Sequence, residues 1–178
     1  MQTKIVITGG PGTGKSTVIK ELAKRNFMCM PEISREITQN ARQNGTEQLF
    51  LTKPLLFSEL LLEGRTNQYL EAEKKNSILV FFDRGIPDVH AYMNYIGIDY
   101  PKNYINTSNF YRYNYIFLMA PWEEIYITDN ERYENFEQAL AIHNHLERTY
   151  IALNYLIIEV PTGTIEDRAD FILASIKS

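Results

Sequence analysis

Residues 4–23, KIVITGGPGTGKSTVIKELA, restrict the possible folds more than any other part of the chain. A β-branched apolar run over 4–9 reads as a short buried strand. It meets a glycine-rich turn, then Lys15, Ser16 and Thr17, then a helical pattern over 15–25 with Val18, Ile19 and Leu22 as its apolar stripe. From Gly9 to Ser16 the spacing is G-x-x-x-x-G-K-S, the P-loop. The mechanics account for each residue. Gly10, Gly12 and Gly14 allow close approaches that a side chain would block, and Pro11 and Thr13 complete the loop. The loop N–H groups then turn inward to cradle phosphate oxygens, and the helix opening at Lys15 adds its positive end. Lys15 is placed to reach the β- and γ-phosphates, the Ser16 hydroxyl to ligate Mg²⁺, and Thr17 to help the helix start. The expected ligand is ATP with magnesium.

Further along, apolar runs alternate with helical patterns. Residues 27–30 form a second short strand closed by Pro31, and 32–45 look helical, ending at Gly45. A long helix is expected from Thr52 as cap and Pro54 in the first turn to about residue 75. Residues 78–83, ILVFFD, are the clearest buried-strand signal, followed by a short helix over 87–96 that stops at Gly97. The tyrosine-rich stretch over 97–114 has no clear period and reads as an irregular insertion. YIFLMAP is a fourth strand. Phe136, Leu140, His143, Leu146, Tyr150 and Leu153 recur at helical spacing, so 134–154 is a helix. LIIEVP is a fifth strand, and a last helix is capped by Thr164. This order predicts one α/β domain over 1–178, a P-loop NTPase fold with a parallel five-stranded sheet and helices on both faces.

Ligands of open α/β sheets sit beyond the carboxyl ends of the strands, so the residues there carry the chemistry. Asp83 emerges at such an end and is a second magnesium ligand, with Arg84 beside it as a phosphate or substrate contact. Glu32 follows the second strand in the same way and faces the γ-phosphate from the other side, where it would accept a substrate hydroxyl's proton. Arg35 lies one helical turn later on the same face and is expected to contact the substrate; the alternative is a helix-start glutamate in a surface salt bridge. Asp88, opening the helix after Asp83, either binds a substrate hydroxyl or caps that helix. Tyr92, Tyr95, Tyr100, Tyr104, Tyr111, Tyr113 and Tyr115 either wall a pocket for a flat base or pack the core. Trp122 has the same two readings. His143 reads as a packed histidine on its helix and His145 as a solvated one; with His90 they form no metal-ligand pattern.

Net charge is -4 in 178 residues, unlike the basic footprint of a nucleic-acid binder. The single cysteine, Cys29, excludes an internal disulfide and a cysteine-rich metal site, and reads as a small core residue in a reducing cytoplasm. The start of the chain is not read as a secretory leader, and no apolar stretch approaches the roughly 18 residues of a membrane span.

In order along the chain, GGPGTGKST, PEISRE, FFDRGIPDVHAY, DNERYENFEQA and EVPTGTIEDRADFIL resemble predicted AAA-domain ATPases related to nicotinamide riboside kinases. The wider similarity is to small P-loop kinases of nucleosides and nucleoside monophosphates. That resemblance implies that Glu32 is the base and that Asp83 and Arg84 are the acid-arginine pair closing the third strand. It also implies an arginine-bearing lid, here the polar segment with Arg132, and a residue near adenine after the last strand, here Arg168. The GTPase tetrapeptide N-K-x-D is absent, which favours ATP. The expected function is transfer of the ATP γ-phosphate to a small hydroxyl-bearing, nucleoside-like acceptor, with catalytic residues Lys15, Glu32, Asp83 and Arg132. The alternatives are an ATP hydrolase without an acceptor, and a nucleotide-binding module that switches shape with ATP and acts on a protein partner. Neither nucleic acid nor membrane is an expected partner, and the sequence leaves the oligomeric state open.

Overall fold

A computed structural model describes residues 2–125 and 135–176. Five parallel strands form one sheet in the order β2-β3-β1-β4-β5: β1 (Thr3–Thr8), β2 (Met28–Met30), β3 (Leu79–Asp83), β4 (Tyr115–Met119) and β5 (Ile157–Val160). β1 is central, with Ile7 paired to Asp83 on one side and to Phe117 on the other. The helices are α1 (Lys15–Lys24), α2 (Ser34–Gln43), α3 (Leu49–Thr52), α4 (Pro54–Glu73), α5 (Pro87–Ile96), α6 (Asn103–Phe110), α7 (Phe136–Ala152) and α8 (Ile165–Ile176).

Parallel strands covered on both faces are apolar throughout, because both side-chain sets meet protein. β1 shows this directly. Val6 joins one core with Leu61, Tyr69, Phe82, Met93 and Tyr150, under α4, α5 and α7. Its neighbours Ile5 and Ile7 point the other way, into a core with Val18, Leu22, Phe81 and Ile172 under α1 and α8. Each of these buried aliphatic side chains contributes about 1.5–3 kcal/mol relative to exposure.

The elements depart from expectation in three places. The stretch expected to be irregular contains α6, which buries only Tyr104 and Ser108, one turn apart, so it leaves too narrow a stripe to detect. The cap of α4 is Lys53 rather than Thr52, which ends the short α3 and donates its hydroxyl to the Gln48 carbonyl. Helix α7 begins at Phe136 with Asn135 as cap, its side chain bonded to the Gln138 N–H and the Gln138 side chain to its own N–H. The α8 start is as expected, with the Thr164 hydroxyl accepting from the Asp167 N–H.

The tyrosines serve mostly as packing. Tyr104 and Tyr113 are buried, and Tyr69, Phe82, Tyr111 and Tyr113 meet largely edge to face. His145 is half-buried against the Tyr95 ring rather than solvated. Cys29 is half-buried and bordered by the α1 core, with burial pushing its thiol up to about 11. No helix among the described residues is long and apolar enough to cross a membrane.

Candidate active site

The P-loop leaves β1 at Gly9, where a Cβ would stand 2.5 Å from the Met119 carbonyl oxygen of β4. Only glycine fits so close to backbone. Gly12 and Gly14 are in the left-handed region, at φ of +74° and +75°. The loop's carbonyls are engaged from behind. Gly10 accepts the Thr13 hydroxyl, Gly12 the Trp122 N–H, Thr13 the Arg168 guanidinium at 2.9 Å, and Gly14 the Thr17 hydroxyl at 2.6 Å. With these four carbonyls engaged, the loop has its N–H groups to offer an anion. Arg168 reaches this carbonyl from the first turn of α8, is buried, and carries a buried Nε without a hydrogen bond among the described residues. Its observed contact is with the back of the loop.

Lys15, at the start of α1, is buried and pairs with Asp83 at 2.6 Å. Asp83 ends β3 next to β1, so strand order brings the two charges together. Ser16 and Thr17 are exposed at the helix start. A hydroxyl and a carboxylate are the hard oxygen donors that magnesium takes, with phosphate oxygens and water completing its shell. The donor set at Ser16 and Asp83 therefore fits that ion. No larger cluster of metal-ligating side chains occurs among the described residues.

Glu32 lies in the turn between β2 and α2. Its carboxylate accepts from Arg84 Nε at 2.9 Å and from the Ser34 hydroxyl at 2.8 Å. Burial opposes ionisation of Glu32, but the charges of Arg84, Lys15 and Arg65 and the Ser34 hydrogen bond outweigh it. They hold the carboxyl well below the usual carboxylate range. The partner of Glu32 is thus Arg84, which follows the neighbouring parallel strand β3 at the same end of the sheet. Arg35 stands on the exposed side of α2, and because that helix begins at Ser34, Glu32 and Arg35 do not share a helix face. Arg84 itself is in the left-handed region at φ of +75°, and its guanidinium lies over the Tyr92 ring at 5.6 Å.

Asp88 is closed off from any substrate. It is fully buried, with Oδ1 accepting the Thr8 hydroxyl and Oδ2 accepting the Gly85 N–H and the Tyr150 hydroxyl. Neither expected role is what its geometry shows: α5 has Ile86 as N-cap with no side-chain cap bond, and the Asp88 oxygens are occupied by these internal donors. Arg65 of α4 was not among the expected site residues. It is buried, donates to the Gly85 carbonyl at 3.0 Å and contributes to the field on Glu32. Its only sequence signal is an arginine on the apolar side of α4, between Leu61 and Tyr69. Arg132 lies outside the described residues. Clefts of about 450 Å³ between α4 and α6, and about 200 Å³ between α5, α6 and α7, have neither Glu32, Arg84 nor any phosphate-loop residue in their walls.

Fold and site together define a P-loop α/β protein with a preformed acid-arginine pair across from the phosphate loop. Residues 4–168 match a protein family described as an AAA domain, and the chain belongs to that family. No curated protein matches the chain. Among solved structures it is similar to deoxyadenosine kinase from M. mycoides with dCMP and dCDP bound, with a TM-score of 0.73 and 17% identity over 98% of this chain and 99% of that one. It is also similar to NadR in complex with NR, with a TM-score of 0.75 and 19% identity, and to NadR in complex with NAD and AMP-PNP, with 0.72 and 16%. Each match covers 99% of this chain, which spans about half of the NadR chain, 51% and 49%.

Proposed function

We propose that this protein is an ATP-dependent small-molecule kinase that transfers the γ-phosphoryl group to a hydroxyl of a nucleoside-like acceptor. The observation that carries this reading is the half-buried Glu32–Arg84 pair at 2.9 Å, built at the same sheet edge as the Lys15–Asp83 pair. A hydrolase has only a water to orient, whereas a fixed carboxylate with a guanidinium beside it suits a hydroxyl that must be held in line. The names of the structural neighbours support the class: one is a deoxyadenosine kinase, and the others hold NR, NAD or AMP-PNP.

In this reading the loop amides and Lys15 bind the phosphates, and Lys15 exchanges Asp83 for them. Magnesium, when held by Ser16 and Asp83, neutralises charge on the transferring group. Glu32 accepts a hydrogen bond from the acceptor hydroxyl and orients it. Being ionised across the neutral range, it is a weak base. That suffices for a loose transition state, in which positioning matters more than early proton removal. Arg84 keeps the carboxylate ionised and presents a further buried donor, Nη1, that makes no hydrogen bond among the described residues.

The test is ATP consumption across a nucleoside and small-alcohol library, repeated with Glu32→Gln. For the best acceptor, Glu32→Gln is expected to slow transfer about 10²-fold, the low end for a positioned base, because it removes the charge that orients the hydroxyl. Its ATP affinity should stay near wild type. Consumption that no compound accelerates favours the hydrolase, and an undiminished rate in Glu32→Gln removes Glu32 from the mechanism.

A further inference from the structure

Asp88 sits where three parts of the site meet. Its Oδ1 accepts from the Thr8 hydroxyl at 2.5 Å and stands 3.5 Å from Arg84 Nη1. Its Oδ2 accepts from the Gly85 N–H at 3.0 Å and from the Tyr150 hydroxyl at 2.5 Å. Thr8 is the last residue of β1 before the phosphate loop, and Tyr150 belongs to α7. Between them runs the turn after β3, and its backbone is tied at every step. The Arg84 N–H donates to the Ile7 carbonyl at 3.1 Å, the Gly85 carbonyl accepts from Arg65 at 3.0 Å, and the Ile86 N–H donates to the Tyr113 hydroxyl at 3.2 Å. Gly85 has no room for a side chain, since a Cβ would lie 2.6 Å from the Tyr150 hydroxyl and 3.0 Å from Val6 Cγ2.

Such a clamp has a purpose. Arg84 is a long side chain on a backbone at φ of +75°, a conformation that costs about 1–3 kcal/mol and persists only where the surroundings over-determine it. What the strained turn achieves is the direction of the guanidinium, with Nε on Glu32 and Nη1 facing Asp88 Oδ1 at 3.5 Å. We infer that Asp88 is a positioning residue: its buried carboxylate fixes Arg84 against Glu32 and holds that pair in register with the foot of the phosphate loop and with α7. This inference rests on the phosphotransfer reading above. Asparagine cannot replace it, because an amide has one oxygen where Asp88 uses two for three donors, and it removes the negative charge facing Arg84.

Two measurements on the full chain test this. The first needs no turnover. The Arg84 Nε–H resonance, assigned by its loss in Arg84→Lys, should exchange slowly in the wild type because it is buried on Glu32. In Tyr150→Phe and Asp88→Asn it should exchange at least about tenfold faster while the proteins still melt cooperatively. Lower melting temperatures with wild-type Arg84 exchange would mean that Asp88 only stabilises the fold, and would overturn the inference. The second is a cycle on the best acceptor. Asp88→Asn should lower kcat/KM for the acceptor about tenfold or more in the wild type but less than about twofold in Arg84→Lys, because its effect passes through Arg84. An equal loss in both backgrounds would overturn the inference. If Asp88→Asn does not fold, Tyr150→Phe, which removes one hydrogen bond and keeps the ring, carries both comparisons. If no compound serves as acceptor, the kinase reading fails, and the exchange measurement still decides the role of Asp88.

Discussion

Lys15 pairs with Asp83, and Glu32 with Arg84. Lys15→Ala removes the phosphate contact and leaves Asp83 buried at 6% exposure without its cation. ATP turnover should fall by at least about a hundredfold, as for loss of a preorganised electrostatic contact. The variant should still melt cooperatively, as a temperature scan would check; wild-type turnover in a folded variant would contradict the phosphate role. Gly85→Ala tests space rather than charge. Its Cβ would meet the Tyr150 hydroxyl at 2.6 Å, so unfolding in urea should show a destabilisation of about 1–3 kcal/mol, the range for overpacking a core. The P-loop residues were legible because their spacing is itself the mechanism. Asp83 and Glu32 were legible because each ends an apolar run. The Glu32–Arg84 contact was not, because residues 52 positions apart meet only once strand order is known. Nor was the inward turn of Asp88, whose donors come from β1, the β3 turn and α7.

Between elements, α5 and α6 are joined by His90, which is 3% exposed and whose Nε2 lies 3.1 Å from the Ser108 hydroxyl. Burial lowers its pKa from 6.5 to about 4, only partly opposed by the Asp88 charge. The folded protein therefore keeps His90 neutral where the unfolded chain takes up a proton. Stability is fully present above the unfolded value and falls as pH drops from about 6.5 toward 4. Urea midpoints between pH 7 and 5 should decline in the wild type, and the decline should be shallower in His90→Asn; parallel slopes would contradict a buried neutral imidazole. Glu32 adds a second loss only at lower pH, because its folded value is depressed and its stabilisation disappears as pH falls below the ordinary carboxylate range. The strands and α1, α4, α5, α7 and α8 were readable because each has an apolar run or stripe. Helix α6 was not, since two buried residues one turn apart make no period.

At the scale of the whole molecule, the sheet order β2-β3-β1-β4-β5 sets Glu32, Asp83 and the phosphate loop side by side at one edge. α1 and α8 brace that loop from one face, and α4, α5 and α7 hold the Arg84 turn from the other. Nucleotide should therefore stabilise the entire fold. At ATP concentrations about a thousandfold above Kd the gain is about 4 kcal/mol, read as a rise in melting temperature. The rise should be larger with magnesium than with excess chelator, because the metal gives Asp83 a new cation when Lys15 moves to the phosphates. Equal shifts would remove Ser16 and Asp83 from metal binding. Transfer to an acceptor is tested by following the transferred group itself. ATP carrying oxygen-18 on the γ-phosphoryl group is incubated with the protein and each library compound, and the products are read by mass spectrometry. A kinase yields a nucleoside-like product carrying the labelled phosphoryl group, formed by the wild type and strongly reduced in Glu32→Gln. Label released only as inorganic phosphate, at the same rate with and without every compound, would contradict it.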